Sequence, residues 1–398
     1  MRRLAPAALA LAGIAACSGP ADSPTPAGTV ASSPASSSAA GGLSPSVTPS
    51  ASPPGVPTTH EFVVTEHQAF DEPWALAFLP GTDTMAITQR GGALVLRDPD
   101  GTVREVSGVP DVAVAGQGGL GDIIPGPTFD DDGTVYLSWV ERGDGGSGAV
   151  VGRGRLDVAG AALTGVDVIW EQTPKVNGDG HFSHRLLIDG DHLFVSSGDR
   201  QKFDPAQDMG GNLGKIVRLT LAGAPAPGNP WADEGGVAAQ FWSIGHRNPL
   251  GLALDADGRL WASEMGPQGG DELNLIVAGA NYGWPEASNG SHYGGGDIPD
   301  HAPGDGFEPP KAFWTPSVSP GSLLIYDGDL FPAWSGDAFL GALSGEALIR
   351  VDLEGESATV AETWPMGARI RAVAQAPDGA IWLLQDGDGG RLLELRPA

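Results

Sequence analysis

Apolar and polar positions follow one recurring unit from about residue 60 to residue 398. In each unit an apolar pair precedes a turn containing Gly and Asp, and a short strand of β-branched and aromatic residues follows. Gly accepts the positive φ that a tight hairpin turn requires, so an Asp-Gly step between two apolar runs predicts antiparallel strands. The six turns, of which the third and fifth are weaker copies, lie at Phe78–Gly81, Phe129–Gly133, Ile188–Gly190, Leu254–Gly258, Trp334–Asp337 and Ala376–Gly379.

The spacing of these units predicts the architecture. One copy per roughly 55 residues is the size of a four-stranded propeller blade with its loops. A pair of β-sandwiches with similar turns is the alternative. The number of copies and the absence of helical periodicity favour an all-β fold, a six-bladed β-propeller of four-stranded antiparallel blades. Because a propeller closes as one unit, residues 60–398 are predicted to form a single domain.

The first residues have the pattern of an export signal. Arg2 and Arg3 precede an apolar run that is too short to span a bilayer, which needs about 20 apolar residues. The run ends in Ile14-Ala15-Ala16-Cys17, which resembles a bacterial lipobox. We therefore predict a signal peptide over 1–16 and a lipid anchor at Cys17, on the extracellular face of the cell membrane. An ordinary secretory signal with an incidental cysteine is the alternative.

The segment 17–59 is predicted to be a disordered tether. It is composed almost entirely of Ser, Pro, Ala, Thr and Gly. Such a composition buries too little apolar surface to offset the entropy of ordering. A glycosylated stalk is the alternative.

Composition excludes several functions. Lys+Arg 22 against Asp+Glu 49 gives a formal net charge of −27, which argues against nucleic acid as a partner, since binding phosphates needs clustered cations. The single cysteine excludes a disulfide framework, and 41% hydrophobic residues exclude wholesale disorder. An acidic surface also disfavours anionic lipid, so membrane attachment is expected only through the lipid at Cys17.

Unusual polar clusters lie between the predicted strands. Arg247, Arg369 and Arg371 are scarce cations, and guanidinium groups facing one cavity would hold a polycarboxylate, although any one of them could equally form a surface salt bridge. Gly266-Pro267, followed by Asp271-Glu272, offers carbonyl and carboxylate oxygens suited to calcium, but acidic Gly loops are also common turns. His181 could accept a proton near neutral pH, or be a solvated or capping residue.

Together these motifs resemble the soluble PQQ-dependent aldose sugar dehydrogenases, the quinoprotein glucose/sorbosone dehydrogenase family. The resemblance covers about residues 60–398, and eight motifs occur in the family's order. They are Gly116–Leu120, His181–Arg185, Gly210–Arg218, Ile244–Pro249, Glu264–Asn274, Asn281–Trp284, Phe339–Leu343 and Arg369–Arg371.

The resemblance implies roles for individual residues. His181 matches the base that removes the proton of the anomeric hydroxyl while a hydride passes to PQQ. Asp199 matches the residue that supports this base, and Gln117 lines the pocket of cofactor and substrate. The resemblance further implies that PQQ is held by Arg247, Asn248, Ser317, Arg369 and Arg371. It implies an active-site calcium on the carbonyls of Gly266 and Pro267, and a second, structural calcium at Glu272 and the backbone of Tyr282.

The implied function is the oxidation of aldose sugars to lactones with PQQ and calcium. No Cys-X-X-Cys-His haem motif is present, so electrons would pass to a separate acceptor. Two alternatives stay open: a calcium-dependent propeller lactonase, and a non-catalytic surface propeller that binds carbohydrate or protein. Three positions depart from the family pattern: Gly180 stands where the glucose enzymes have Asp, Ser344 where many members have Lys, and His184 where small residues are usual.

Overall fold

The computed structural model of the protein describes residues 62–398. The predicted signal peptide, the lipid anchor at Cys17 and the tether lie outside the described residues. In the described part, no helix is both long enough and apolar enough to cross a membrane. The strands are β1 (Phe62–Phe70), β2 (Pro73–Phe78), β3 (Met85–Gln89), β4 (Leu94–Arg97), β5 (Val103–Glu105), β6 (Leu120–Pro125), β7 (Thr134–Gly143), β8 (Gly146–Asp157), β9 (Ala162–Glu171), β10 (Ser183–Asp189), β11 (His192–Ser197), β12 (Lys215–Thr220), β13 (Phe241–Ile244), β14 (Pro249–Leu254), β15 (Leu260–Glu264), β16 (Gln268–Gly269), β17 (Asp271–Ile276), β18 (Gly290–Ser291), β19 (Ala312–Trp314), β20 (Pro320–Ile325), β21 (Ala338–Ala342), β22 (Ala347–Glu354), β23 (Ser357–Pro365), β24 (Ile370–Gln375), β25 (Ile381–Gln385) and β26 (Gly390–Pro397).

Helical structure among the described residues is confined to single turns. One α-helical turn, α1, spans Phe129–Asp132, and short 3₁₀ turns lie at Asp204–Ala206, Ala232–Glu234, Ala238–Gln240 and Pro332–Trp334. The turn α1 ends at Gly133, whose φ of 69° is the left-handed conformation that glycine adopts without strain. The expected Asp-Gly turn at this position is therefore closed by a helical cap.

The predicted six-bladed propeller is confirmed. Six four-stranded antiparallel sheets have the orders β2-β3-β4-β5, β6-β7-β8-β9, β10-β11-β12-β13, β14-β15-β17-β19, β20-β21-β22-β23 and β24-β25-β26-β1. The first strand of each sheet packs against the first strand of the next, and β24 packs against β2, so the ring closes. The last sheet joins the two ends of the domain, with Phe62 opposite Pro397.

All six repeated turns occupy the same place in their blades. Each one connects the innermost strand of a blade to its second strand, from the β2–β3 turn to the β24–β25 turn. The repeat in the sequence therefore marks one end of the ring. Since every blade begins with its innermost strand, the starts of the six inner strands gather at the opposite end.

A β-bulge interrupts the start of every innermost strand. A bulge bends its strand and re-aims the side chains at that point. The six register shifts fall between Pro73 and Ala75, Leu120 and Ile123, Ser183 and Leu186, Pro249 and Gly251, Pro320 and Ser322, and Ile370 and Ala372.

Arg185 joins these bulges at the centre of the ring. Its guanidinium donates to Asp122 Oδ1 (3.2 Å), to the carbonyl of Leu250 (2.8 Å) and to the carbonyl of Gly321 (2.9 Å). It also lies 3.9 Å above the ring of Trp74. One buried side chain of β10 thus contacts the inner strands of four other blades, which fixes the end of the ring where the site lies.

Apolar cores fill the spaces between neighbouring sheets. The aromatic core between the last two blades is an example, with Trp334 stacked on Phe331 (4.2 Å between ring centroids) and packed against Phe339 and Trp364. Such aromatic pairs add about 0.5–1.5 kcal/mol each beyond the burial of their area. The packed sheets therefore form a rigid scaffold, and the loops at its ends can position functional side chains.

Candidate active site

A cavity of about 440 Å³ opens at the end of the ring where the inner strands begin. Residues from all six blades line it, because each inner strand starts at this end. The lining residues that bear on the chemistry are Trp74, Gln117, Ser183, His184, Met265, Tyr293, Arg369, Arg371 and Asp386.

His181 and Asp199 form a buried pair next to Gln117 and Phe182, which line this cavity. Nδ1 of His181 lies 2.7 Å from Oδ1 of Asp199, and the backbone N–H of His181 donates to Oε1 of Gln117 (2.7 Å). Asp199 also accepts hydrogen bonds from the backbone N–H groups of Gln201 (2.8 Å) and Phe203 (3.3 Å). The structure therefore brings together the three residues that the sequence predicted as catalytic.

The surroundings of the pair fix the tautomer of His181. An indole N–H from Trp284 donates to Oδ2 of Asp199 (2.8 Å), so every group around the carboxylate is a donor and the carboxylate is the acceptor. His181 consequently carries its proton on Nδ1, and Nε2 presents a lone pair. Burial lowers the pKa of His181, opposed by its hydrogen bond to Asp199, and this favours the neutral imidazole that a base requires.

The backbone around the pair is strained. Six of the ten described non-glycine residues with positive φ lie in 181–184 and 200–203. Such conformations persist only where the surrounding structure enforces them. Arg200 supplies that enforcement, because its buried guanidinium donates to the carbonyls of Gly178 and Gly180 (2.8 Å to Gly180) and lies 3.7 Å above the ring of Phe182.

Arg369 and Arg371 both point into the cavity, and both pair with Asp386. Nε of Arg369 donates to Oδ2 (2.8 Å), while Nε and Nη2 of Arg371 reach Oδ1 (2.8 and 2.7 Å). Burial raises the pKa of Asp386, but Arg371 and then Arg369 outweigh it, so the net pKa is lowered. Arg369, Arg371 and the ionised Asp386 together carry a net charge of +1. Asp386 was not predicted from the sequence.

Arg247 lies close enough to His181 to lower its pKa, but it lines a smaller void and not the cavity of Arg369 and Arg371, so the structure does not bring all three predicted arginines to one cavity. Its Nη1 donates to the carbonyls of Met265 (2.9 Å) and Gly266 (2.6 Å), and its Nη2 reaches the Tyr293 hydroxyl (3.5 Å). Its Nε is a buried donor without an acceptor among the described residues. An unpaired buried donor is costly, so this nitrogen suits an additional acceptor that would lie beside it.

Asn248 and Ser317 are held by protein groups. Oδ1 of Asn248 accepts from the Ser183 hydroxyl (3.0 Å). Ser317 Oγ accepts from the N–H of Gly269 (3.0 Å) and donates to the carbonyl of Pro267 (3.4 Å). In the structure Ser317 therefore orders the loop that bears Gly266 and Pro267.

The four residues predicted as calcium ligands line one small void. Gly266, Pro267, Glu272 and Tyr282 surround a space of about 10 Å³, enough for one atom the size of water. The sequence had divided them between two sites. Within residues 62–398 no group of three or more His, Cys, Asp or Glu side chains is arranged to hold a metal, so a cation there would need peptide carbonyls.

Glu272 is buried, with Nε2 of His301 3.9 Å from its Oε1. Burial, with Glu264 nearby, raises its pKa to about 8. Its Oε2 accepts from the amide of Asn274 (3.0 Å), while Oδ1 of Asn274 has no partner in the described structure. These oxygens have the hard-donor chemistry that calcium prefers. Tyr282 is held by its hydroxyl, which donates to the carbonyl of Leu275 (2.6 Å).

Two of the positions that depart from the family pattern have a local cause. A Cβ on Gly180 would lie 2.6 Å from the side chain of Gln201, so glycine leaves room for that side chain. Ser344 donates to the carbonyl of Ser317 (3.1 Å) and shares a hydrogen bond with the hydroxyl of Ser319 (2.8 Å). Ser344 thus supports a loop of the cavity but brings no charge.

Comparison with known proteins agrees with this geometry. Residues 70–394 match the family described as Glucose / Sorbosone dehydrogenase. The chain is 40% identical over 336 residues to aldose sugar dehydrogenase YliI of Escherichia coli (strain K12), covering 82% of this chain and 90% of that protein. It resembles the crystal structure of the soluble E. coli aldose sugar dehydrogenase in the apo-form, with a TM-score of 0.81, 38% identity, and 85% and 100% of the two chains covered.

A second solved structure is the PQQ-bound form of aldose sugar dehydrogenase from Streptomyces coelicolor. It matches with a TM-score of 0.71 and 31% identity, covering 84% of this chain and 98% of that one. The fold and the similarities define a propeller of the sugar dehydrogenase class. The chain belongs to the glucose/sorbosone dehydrogenase family.

Proposed function

We propose that this protein oxidises aldose sugars at the anomeric carbon to lactones, with PQQ as cofactor and calcium as an assisting ion. The observation that carries the proposal is the buried His181–Asp199 pair beside a cavity that Arg369 and Arg371 line. A base and an anion site are the two groups that such a reaction needs from the protein. The lactonase alternative has less support, because the guanidinium of Arg185 occupies the centre of the ring.

His181 acts as the base. Its Nε2 takes the proton of the anomeric hydroxyl, and the Nδ1–H···Oδ1 hydrogen bond to Asp199 stabilises the imidazolium that results. Trp284 and the N–H groups of Gln201 and Phe203 donate to the carboxylate of Asp199 and hold it in this orientation. The pair of electrons in the C1–H bond leaves as hydride, so the sugar loses one proton and one hydride and becomes the lactone.

The described residues fit PQQ. Bound PQQ would supply the quinone that accepts the hydride. Its three carboxylates call for cationic donors, and the cavity offers Arg369 and Arg371. Arg247 lines the smaller void instead, where its buried Nε lacks an acceptor among the described residues. Gln117, Asn248 and Ser317 would add neutral hydrogen bonds around the same ligand.

Calcium would be held by the carbonyls of Gly266, Pro267 and Tyr282 and by the carboxylate of Glu272. These residues line a single void, and the imidazole near Glu272, that of His301, has a pKa that burial lowers. The carbonyl of Gly266 already accepts from Arg247, but a carbonyl has two lone pairs and can also bind an ion. A divalent ion at this place would offset the cost of ionising the buried Glu272 carboxyl.

Reconstitution tests the proposal. Purified protein is incubated with PQQ and Ca²⁺, and reduction of an artificial electron-accepting dye is followed with several aldoses. We expect turnover that requires PQQ. His181→Ala should abolish most turnover and leave PQQ bound, whereas the control His192→Ala, at the turn end of β11, should be fully active. Turnover without PQQ, or an active His181→Ala variant, would reject the assignment.

We also propose that the protein is anchored through Cys17 outside the cell membrane and passes electrons to a separate acceptor. The position of the only cysteine after a short apolar run supports the anchor. Labelling with a radioactive fatty acid should mark the wild type and not Cys17→Ala. Labelling of both would refute the anchor.

A further inference from the structure

We propose that His184 binds the molecule in the cavity, with an unprotonated Nε2 that accepts a hydrogen bond from an O–H or N–H group. The inference rests on the proposed function, since it specifies which group of sugar or cofactor this part of the site selects.

The ring of His184 is held rigidly. His184 lies in the bulge at the start of β10 and is only 2% exposed, yet it lines the central cavity. Its imidazole stacks on Trp74, with 5.0 Å between the centroids and 14° between the planes. Its position is therefore set by the protein before any ligand arrives.

Gly121 makes room for this ring. A Cβ at position 121 would lie 2.0 Å from Cε1 and 2.2 Å from Nδ1 of His184, which no side chain could tolerate. Gly121 is not among the residues with positive φ, so its backbone conformation does not require glycine. The absence of a side chain at Gly121 therefore leaves the room that the imidazole of His184 occupies.

Ser138 determines which nitrogen of His184 carries the proton. The Ser138 hydroxyl accepts from the N–H of Asp122 (2.9 Å) and donates to the carbonyl of His184 (2.8 Å), which can only accept. The same oxygen lies 2.8 Å from Nδ1 of His184. Since the single hydroxyl proton is already used, Nδ1 must be the donor. His184 therefore has the Nδ1–H tautomer, and Nε2 carries a lone pair.

The Nε2 atom is left for a ligand. It has no hydrogen-bond partner among residues 62–398, and it is not among the polar atoms sealed from solvent. The ring also stays neutral, because burial, with the nearby cations Arg185 and Arg200, lowers the pKa of His184 to about 3. Nε2 is thus a permanent acceptor at neutral pH.

An acceptor such as Nε2 of His184 distinguishes hydrogen-bond donors from other acceptors on the ligand. It attracts the hydroxyl groups of a sugar or the ring N–H of PQQ, and it repels carboxylate and quinone oxygens, which also carry lone pairs. His184 would therefore direct anionic groups toward the arginines and a donor group toward itself. The shared ligand chemistry is one O–H or N–H donor, and the two sources are separated by experiment.

The test is a long-range ¹H–¹⁵N spectrum of the full folded domain with ¹⁵N-labelled histidine. His184→Phe identifies the signals and keeps an aromatic ring against Trp74. The free protein should show protonated Nδ1 and unprotonated Nε2 at His184. A change of the Nε2 shift on adding PQQ with Ca²⁺ would identify the cofactor as donor, and a change only on adding an aldose would identify the sugar.

His184→Phe should weaken binding of that same molecule roughly three- to tenfold, the loss of one neutral hydrogen bond. A protonated Nε2 in the free protein, or an Nε2 shift unchanged in both additions, would overturn the inference. The proposed function fails by a different result, namely a wild-type protein that takes up no PQQ or oxidises no aldose.

Discussion

The indole N–H of Trp284 donates to Oδ2 of Asp199 at 2.8 Å, across 85 positions of sequence. The other oxygen of this carboxylate meets Nδ1 of His181. The ring of Trp284 also lies under the guanidinium of Arg247, at 5.3 Å. Trp284 therefore links the proposed base with an arginine proposed to bind the cofactor, and it is a positioning residue for both.

Loss of the Trp284 indole should slow catalysis more than it affects folding. Trp284→Phe removes a hydrogen bond to a charged group, worth about 1.5–3 kcal/mol, so kcat should fall roughly 10- to 100-fold. Trp242→Phe is the matched control, because the indole nitrogen of Trp242 has no partner in the described structure. The test is to measure kcat of both variants by steady-state kinetics. Equal values of kcat would show that the hydrogen bond from Trp284 to Asp199 has no catalytic role.

The pH dependence of kcat/KM should report His181. The base works when neutral, so the rate should rise as pH increases through its pKa, which burial places below the usual 6.5. Asp199 opposes this lowering, and Asp199→Asn should therefore move the acid limb to still lower pH and reduce the plateau. If the acid limb of the kcat/KM profile lies at the same pH in Asp199→Asn as in the wild type, a group other than His181 controls the pH dependence.

Arg371 should contribute more than Arg369 to PQQ affinity. The side chain of Arg371 is 15% exposed and that of Arg369 46%, so solvent screens Arg369 more. Arg371→Gln should weaken binding of PQQ roughly 10- to 100-fold, and Arg369→Gln less. Arg391→Gln removes the same charge from an exposed pair with Glu66 and should leave the Kd unchanged. An equal loss in all three variants would indicate only a general charge effect.

His184 should make the protein less stable in acid. Its pKa of about 3 in the fold, against 6.5 when unfolded, means that the unfolded chain binds more protons between these values. Stability conferred by the neutral ring is therefore lost as pH falls below about 6.5, with a slope of up to about 1.4 kcal/mol per pH unit. His184→Phe should flatten this slope in urea unfolding, and Ser138→Ala, which retains the histidine, should keep it.

The Arg185–Asp122 pair should be a major support of the ring. Arg185→Met leaves the carboxylate of Asp122 buried without its cation, which should cost about 3–5 kcal/mol in the free energy of unfolding. Adding Asp122→Asn should restore part of this loss by removing the buried charge. If the double variant is no more stable than Arg185→Met, the charge of Asp122 is not the cause.

The fold could be predicted because its signal is local and repeated. Each Asp-Gly turn lies within one hairpin, and all six mark the same connection. The pair of His181 and Asp199 also lies within a short stretch, His181 just before β10 and Asp199 just after β11. The local repeat was enough for the fold, whereas the roles of His181 and Asp199 came from the family resemblance.

The remaining contacts depend on how the strands pair and how the blades meet. Asp386 follows β25 and meets Arg371 on the paired strand β24 and Arg369 just before it. Ser138 reaches His184 from the second strand of another blade. The two expected calcium sites likewise meet at one void because β15 and β17 are neighbours in the sheet. These pairings depend on register, and no local pattern in the sequence encodes it.

A PQQ binding titration with and without calcium tests the central claim most directly. We predict saturable binding of PQQ by the wild-type protein, one molecule per chain, that is tighter with Ca²⁺ than with a chelator and weaker in Arg371→Gln. Absence of PQQ binding in the presence of Ca²⁺, or binding that neither calcium nor Arg371 affects, would contradict the account of this cavity.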